Sequence, residues 1–255
     1  MANPKVKIFL FLRGLKSLIK NALFNDKNLI KFYQDLDDFQ KLDTDNRLPL
    51  SRTEISPYLY ENTSTTVFDA HYVYHPAWAA RIVKTTSPEK HVDISSTLHF
   101  CSILSAFIPT DFYDYRPVDL KLTNLNCKHA NLTDLHFKSR SIASLSCLHT
   151  IEHIGLGRYG DSLDPEGDLK AISELMRVCA PQGNLLIAVP VGKKKIVFNA
   201  HRIYDAEEFA GYFENFELLS FSLITDSSEL IDDASYQQAL SQNYGCGCYW
   251  FKKIA

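Results

Sequence analysis

The amino-acid sequence predicts an α/β domain built on a doubly wound, mostly parallel sheet and preceded by a helical extension. Three observations carry that prediction. From about residue 66 onward, short apolar runs alternate with helical stretches, the pattern of a parallel sheet covered on both faces. Before that point the chain reads as helix and polar loop. Finally, 255 residues with 45% apolar side chains can bury one large core plus an appendage. The expected division is an extension over 1–65 and a domain over 66–255.

In the extension, the stretch from Val6 to Phe24 is apolar and basic together. From Leu12 its apolar residues fall at helical spacing (12, 15, 18, 19, 22, 23), which predicts an amphipathic helix with a lysine-rich face. The longest apolar run, Ile8 to Leu12, is far too short to span a bilayer, and no small-residue cleavage site follows an apolar core. Such a helix packs on the domain or a partner subunit, or alternatively makes a peripheral membrane contact. Asp26 to Leu42 predicts a second, more acidic helix, and Pro49 to Pro57 a connector.

In the domain, strands are expected at His91 to Ser95, Thr110 to Tyr115, Ser141 to Leu148 and Asn184 to Pro190. Helices are expected near Pro76 to Lys84, Leu98 to Phe107 and Asp168 to Val178. The last is the clearest, with Leu169, Ile172, Leu175 and Met176 in one apolar stripe and Pro181-Gln182-Gly183 ending it. Asp205 to Phe213 reads as a further helix, and Glu217 to Thr225 with Cys246 to Lys252 as a terminal pair of strands. The formal net charge of -3, with acids and bases well mixed, provides no field for a nucleic-acid backbone, so a small-molecule partner is expected. Cys101, Cys147 and Cys179 lie in apolar runs, and Cys246-Gly-Cys248 is too tightly spaced for a zinc knuckle. The six cysteines therefore read as reduced and the protein as cytoplasmic.

Ligands of a doubly wound sheet bind beyond the carboxyl ends of its strands. The first such end is Val92-Asp93-Ile94-Ser95-Ser96, an acid followed by small residues that let a ligand approach the backbone. The second carries Asp114, 21 residues beyond Asp93, placed to accept both hydrogen bonds of a ribose diol, with Tyr115 beside it to cover an adenine face. Each acid alone is an ordinary turn former; in this order they favour an adenosyl ligand. No Gly-x-Gly-x-x-Gly follows the first strand, which argues against a dinucleotide enzyme.

Residues 127 to 191 carry a more specific likeness. Asn131-Leu132-Thr133-Asp134-Leu135-His136-Phe137, then Ser141 to Leu145, Glu152-His153-Ile154 and Leu175-Met176-Arg177-Val178-Cys179-Ala180-Pro181-Gln182-Gly183 resemble the second half of a class I S-adenosylmethionine-dependent methyltransferase. The resemblance implies a seven-stranded, Rossmann-like sheet. It also implies an S-adenosylmethionine site built by Asp93, Ser95, Asp114, Asn131 and the strand end at Leu148. Ser95, Ser96 and Thr97 depart from it, standing where Gly, a small residue and Gly are usual, and Asn131 replaces the common Asp. A non-catalytic protein of this fold that assists a partner enzyme is the alternative reading. The segment His149 to Asp168 is also similar to a methyltransferase-like family of unknown function associated with bacterial surface-polysaccharide genes. That likeness implies a sugar, sugar phosphate or related polar acceptor.

The same segment supplies the candidate chemistry. His149 and His153 suit proton removal from an acceptor near neutral pH, and Arg158 suits a phosphate or carboxylate, or else a salt bridge to Asp161 or Asp164. Asp161, with Asn199, His201 and Arg202 after the fourth strand, are the candidate substrate contacts. His149-x-x-Glu152-His153 matches an inverted zinc-protease motif, but it follows a strand and runs into glycines instead of lying on a long helix. By resemblance to ubiquinone-pathway O-methyltransferases, His149, Glu152 and His153 are candidate ligands of a divalent metal ion. The competing view has Glu152 capping amides while His153 packs beneath the loop.

Overall fold

The computed structural model describes residues 26–255. The amphipathic segment Val6 to Phe24 lies outside them. The described residues form two units that part between Val67 and Phe68. In the first, helix α1 (Lys27–Leu42) starts at Asp26, whose carboxylate accepts from Asn28 N at 2.9 Å and from the Tyr60 hydroxyl at 2.5 Å. Arg52 returns from the following segment to pair with Asp37 and Gln40.

In the second unit the sheet grows around β1 (His91–Ile94), buried at every position. It pairs in parallel with β2 (Thr110–Asp114) on one side and β4 (Ile142–Leu148) on the other. Beyond β2 lies β3 (Leu125–His129), and beyond β4 lies β5 (Cys179–Val191), both parallel. The chain then places β10 (Gly245–Lys253) antiparallel between β5 and β8 (Phe216–Ile224), and β9 (Leu230–Ile231) closes the edge. The order β3-β2-β1-β4-β5-β10-β8-β9 makes eight strands where seven were expected, the extra one being the two-residue β9. A separate hairpin, β6 (Lys195–Val197) and β7 (His201–Ile203), stands after β5.

Alternation along the strands builds a core on each face. On β10, Gly247, Tyr249 and Phe251 alternate with Cys246, Cys248 and Trp250; Tyr249 and Phe251 join Leu145, Leu175 and Phe209 in one cluster, while Cys246 and Cys248 join Trp78, Val83, Leu104 and Leu148 in the other. Burial on both faces explains why β5 reads as an unbroken apolar run from Leu185 to Val191. All six cysteines are free thiols.

Helix α2 (Ala70–Thr86) begins six residues before the expected Pro76, because Asp69 caps it by accepting from Tyr72 N at 3.2 Å. Pro76 sits in its second turn. Helix α3 (Leu98–Leu104) is capped by Thr97, and α4 (Gly167–Val178) and α5 (Ala206–Gly211) fall where predicted, with a short α6 (Tyr236–Leu240) before β10. The Pro181-Gln182-Gly183 step is an irregularity inside β5, not a linker: the strand starts at Cys179 and Gln182 takes φ 60°. Among the described residues no helix is long and apolar enough to cross a membrane.

Candidate active site

A cavity of about 370 Å³ opens at the carboxyl ends of the parallel strands. Its walls are Ser95–Thr97 after β1, Asp114–Arg116 at the end of β2, Ala130–Thr133 after β3 and Leu148–Thr150 after β4. Tyr72 from α2 and the loop from His153 to Gly167 complete it. Its volume suits a ligand the size of a cofactor.

Ser95 adopts φ 58°, the left-handed conformation that the expected glycine would supply. The strain is held by its neighbours: Ser95 N donates to the Tyr113 carbonyl at 2.7 Å, and the Thr150 hydroxyl donates to the Ser95 carbonyl at 2.7 Å. Ser96 does more than replace a small residue. Its hydroxyl accepts from Leu148 N at 2.9 Å and donates to Asp93 at 2.5 Å, tying β1 to β4. Asn131 uses its side-chain oxygen on Thr133 N and the Thr133 hydroxyl, at 3.1 and 2.9 Å, and its NH₂ has no partner among the described residues.

Asp114 and Asp93 were expected to face one cleft. Asp114 lines the cavity; Asp93 does not. Asp93 is fully buried, sits on a strand covered on both faces, and spends its carboxyl on Ser96 and Ser146. Burial pushes that carboxyl up to about 6, against the lowering pull of the serine hydroxyls. The expected direct contact of Asp93 with a ligand is therefore corrected: its carboxyl is turned to Ser96 and Ser146 and does not reach the cavity.

The carboxyl end of β4 gathers the histidines. His149 takes φ 60°, and its Nδ1 lies 2.6 Å from Glu152 Oε1, close but off the axis of a good hydrogen bond. Its Nε2 lies 3.1 Å from His71 Nδ1. His153 Nδ1 meets the Ala200 carbonyl at 2.5 Å, and burial lowers the His153 pKa against the raising pull of Glu152. The Glu152 carboxyl is wholly buried; burial would raise its pKa, but His149 and His153 outweigh that and hold it below the usual range. The expected metal trio of His149, Glu152 and His153 does not assemble as ligands: among the described residues His149 converges with His71 and Cys246 instead, and Glu152 sits on the Nδ1 side of its ring.

Of the other expected residues, Tyr115, Leu148 and Asp161 line the cavity. Asp161 organises the glycine-rich loop, accepting from Gly155 N at 2.7 Å and Tyr159 N at 3.2 Å. Arg158 is exposed and pairs with neither Asp161 nor Asp164; it donates to the Ala200 carbonyl at 3.2 Å and lies over the Tyr159 ring. Asn199 is exposed and His201 packs on Tyr244, both off the cavity wall. Arg202 is buried, its guanidinium directed to the carbonyls of Ile154 and Pro165 at 2.6 and 3.2 Å. It holds the loop and is not a substrate contact in this arrangement.

The sequence reading missed His71, Tyr72 and His75, since it began their helix at Pro76; the i, i+4 spacing of the two histidines was the available signal. It also missed Arg116, which lines the cavity with its guanidinium 4.6 Å from the Tyr159 ring centre.

A family model described as "Caenorhabditis protein of unknown function, DUF268" matches residues 109–245. The chain belongs to this family. The match runs from β2 to the first residue of β10, and so includes Asp114, Asn131 and the loop carrying His149 and His153. No curated protein matches the sequence. Among solved structures, a protein assigned as a methyltransferase from Bacillus halodurans C-125 superposes with TM-score 0.52 at 11% identity, covering 71% of this chain and 99% of that one. A protein assigned as a sarcosine dimethylglycine methyltransferase from Galdieria sulphuraria gives 0.51 at 14%, covering 71% and 86%. The [4+2]-cyclase SpnF gives 0.51 at 12%, covering 71% and 81%. The Rossmann-like methyltransferase fold is thereby established for this chain, and the cyclase among its neighbours means that the reaction must be argued from the site.

Proposed function

We propose that this protein transfers the methyl group of S-adenosylmethionine to an oxygen or nitrogen of a small polar or phosphorylated acceptor. The observation that carries the proposal is the cavity at the ends of β1, β2 and β4, with Asp114 on its wall and Ser95 in the backbone conformation that lets a ligand approach. Asp114 would accept from the ribose hydroxyls, Tyr115 would cover the adenine, and the free NH₂ of Asn131 would donate to it. The cofactor supplies a methyl group already activated by its sulfonium. The chain's own residues have to align the acceptor and take its proton.

His153 is suited to that proton. The Ala200 carbonyl favours a proton on Nδ1, leaving Nε2 to accept, and burial lowers the pKa of the ring. His149, also on the wall, is the second candidate. Arg116 and Arg158, both close to the Tyr159 ring, offer guanidinium forks for a phosphate or carboxylate. A sugar acceptor in surface-polysaccharide synthesis rests on the resemblance of His149 to Asp168 alone.

Calorimetry with S-adenosylmethionine and S-adenosylhomocysteine tests the reading. Binding of both is expected, and Asp114→Ala should weaken it about 10- to 100-fold, the worth of hydrogen bonds to one carboxylate. Failure of the unaltered chain to bind either at millimolar concentration would favour a non-catalytic partner-assisting protein instead.

A further inference from the structure

We infer that His71, His149 and Cys246 form a binding site for one divalent transition-metal ion of the zinc class. The inference goes beyond the methyl-transfer reading and does not depend on it. The three residues come from α2, the β4 loop and β10, are all buried, and each directs a donor atom to within 4.8 Å of the other two. His71 Nδ1 and His149 Nε2 lie 3.1 Å apart, within hydrogen-bond distance and close to the roughly 3.3 Å between two imidazole nitrogens that share a tetrahedral ion, so an ion replacing the shared proton needs little movement.

The surroundings are those of a ligand shell. Glu152 lies behind His149, 2.6 Å from Nδ1; although off a hydrogen-bond axis, its charge favours a proton on Nδ1 and so leaves the Nε2 lone pair for a metal. Glu152 is itself wholly buried, and its ion-pair partners among the described residues are two histidines and no lysine or arginine. A buried carboxylate without a fixed cation is costly. A divalent ion balances it together with a Cys246 thiolate, since one charge of +2 meets two of -1. His75 lies one turn beyond His71, fully buried and stacked on His149 at 5.4 Å. Neither of its nitrogens has a hydrogen-bond partner, a burial that an adjacent ligand shell would explain. Two imidazoles and a thiol select zinc, cobalt or copper over magnesium and calcium. Because His149 also lines the cavity, a fourth position is left for water or an acceptor atom. Here Glu152 stands behind a ligand and His153 stands outside the set.

The full chain, stripped with EDTA, is titrated with cobalt(II). The expected result is one equivalent bound per chain, giving the strong visible bands of a four-coordinate ion and a thiolate-to-cobalt charge-transfer band, both bleached by zinc. Cys246→Ser should abolish the charge-transfer band, which isolates it from the other five thiols. His71→Gln should weaken cobalt binding at least tenfold. Circular dichroism checks that each variant folds, and should Cys246→Ser not fold, His71→Gln and the unaltered chain still decide the matter. A wild-type spectrum that stays that of the aqueous ion under excess cobalt, a charge-transfer band that survives Cys246→Ser, or unchanged affinity in folded His71→Gln overturns the inference.

Discussion

Replacing Arg202 separates a structural from a substrate-binding role for the most buried cation beside the site. Its guanidinium donates to the Ile154 carbonyl at 2.6 Å and the Pro165 carbonyl at 3.2 Å, approaches those of Glu152 and Asp164 at 3.4 Å, and lies 3.4 Å from Asp168. Asp168 in turn accepts from the Tyr204 hydroxyl at 3.0 Å. Each charge-assisted bond is worth about 1.5–3 kcal/mol net. Only two here have good length, and removing one partner of a buried ion pair costs about 3–5 kcal/mol. These contributions overlap, so Arg202→Met is expected to lose about 3–5 kcal/mol, a large fraction of the roughly 5–15 kcal/mol that holds a domain together. The assay is equilibrium urea unfolding of wild type and variant in the absence of any ligand, read as the shift in midpoint at constant slope. Arg202→Lys keeps the charge but not the fork and should recover less than half of the loss. A ligand-free loss below about 1 kcal/mol would refute the structural assignment and return Arg202 to the substrate contacts.

Two further outcomes follow from the same region. Burial disfavours the Asp93 charge and pushes its carboxyl up to about 6, against about 3.9 for a free aspartate. The folded state therefore holds this proton more tightly, so its contribution to stability is fully present below about pH 4 and is lost as pH rises through 6. Asp93→Asn should flatten the slope of unfolding free energy over that window, and a slope identical to wild type would count against the assignment. Gly155 has φ 79°, and a Cβ there would meet the Asp164 carbonyl oxygen at 2.0 Å. Gly155→Ala should destabilise by about 2 kcal/mol or more through both strain and collision. An unchanged melting temperature would mean that the loop takes another course.

What was legible in the sequence follows the physics of burial. β5 is buried on both faces from Leu185 to Val191 and so appears as an apolar run, β1 and β4 mix buried His91, Asp93, Ser144 and Ser146 with their apolar residues, and α4 has one clean stripe ending at its strand. β3 was not legible, because Leu125 is its one buried position and no alternation marks an edge strand of that kind. β6 is exposed at all three positions and carries no burial signal at all. The start of α2 was hidden by Pro76, which looks like a first-turn residue although the Asp69 cap begins the helix earlier. That single misplacement concealed His71, Tyr72 and His75 together. For Asp93 and Asp114 the sequence located two strand ends correctly but not the direction of each side chain. Asp93 is the third residue of a four-residue strand covered on both sides, whereas Asp114 is the last residue of its strand and is only half-buried.

The serines after β1 show how a glycine-poor loop can make the turn that the proposed adenosyl ligand calls for. Glycines in a dinucleotide loop supply a left-handed turn and close approach of the backbone to a pyrophosphate. Here the left-handed turn is made without a glycine. Ser95 makes that turn at a cost of about 1 kcal/mol relative to glycine, and the bonds from Thr150 and to Tyr113 hold it there. Ser96 then uses the side chain that glycine lacks to join Asp93 to the β4 backbone. The loop thus keeps the left-handed turn without a glycine and gains a cross-link between β1 and β4.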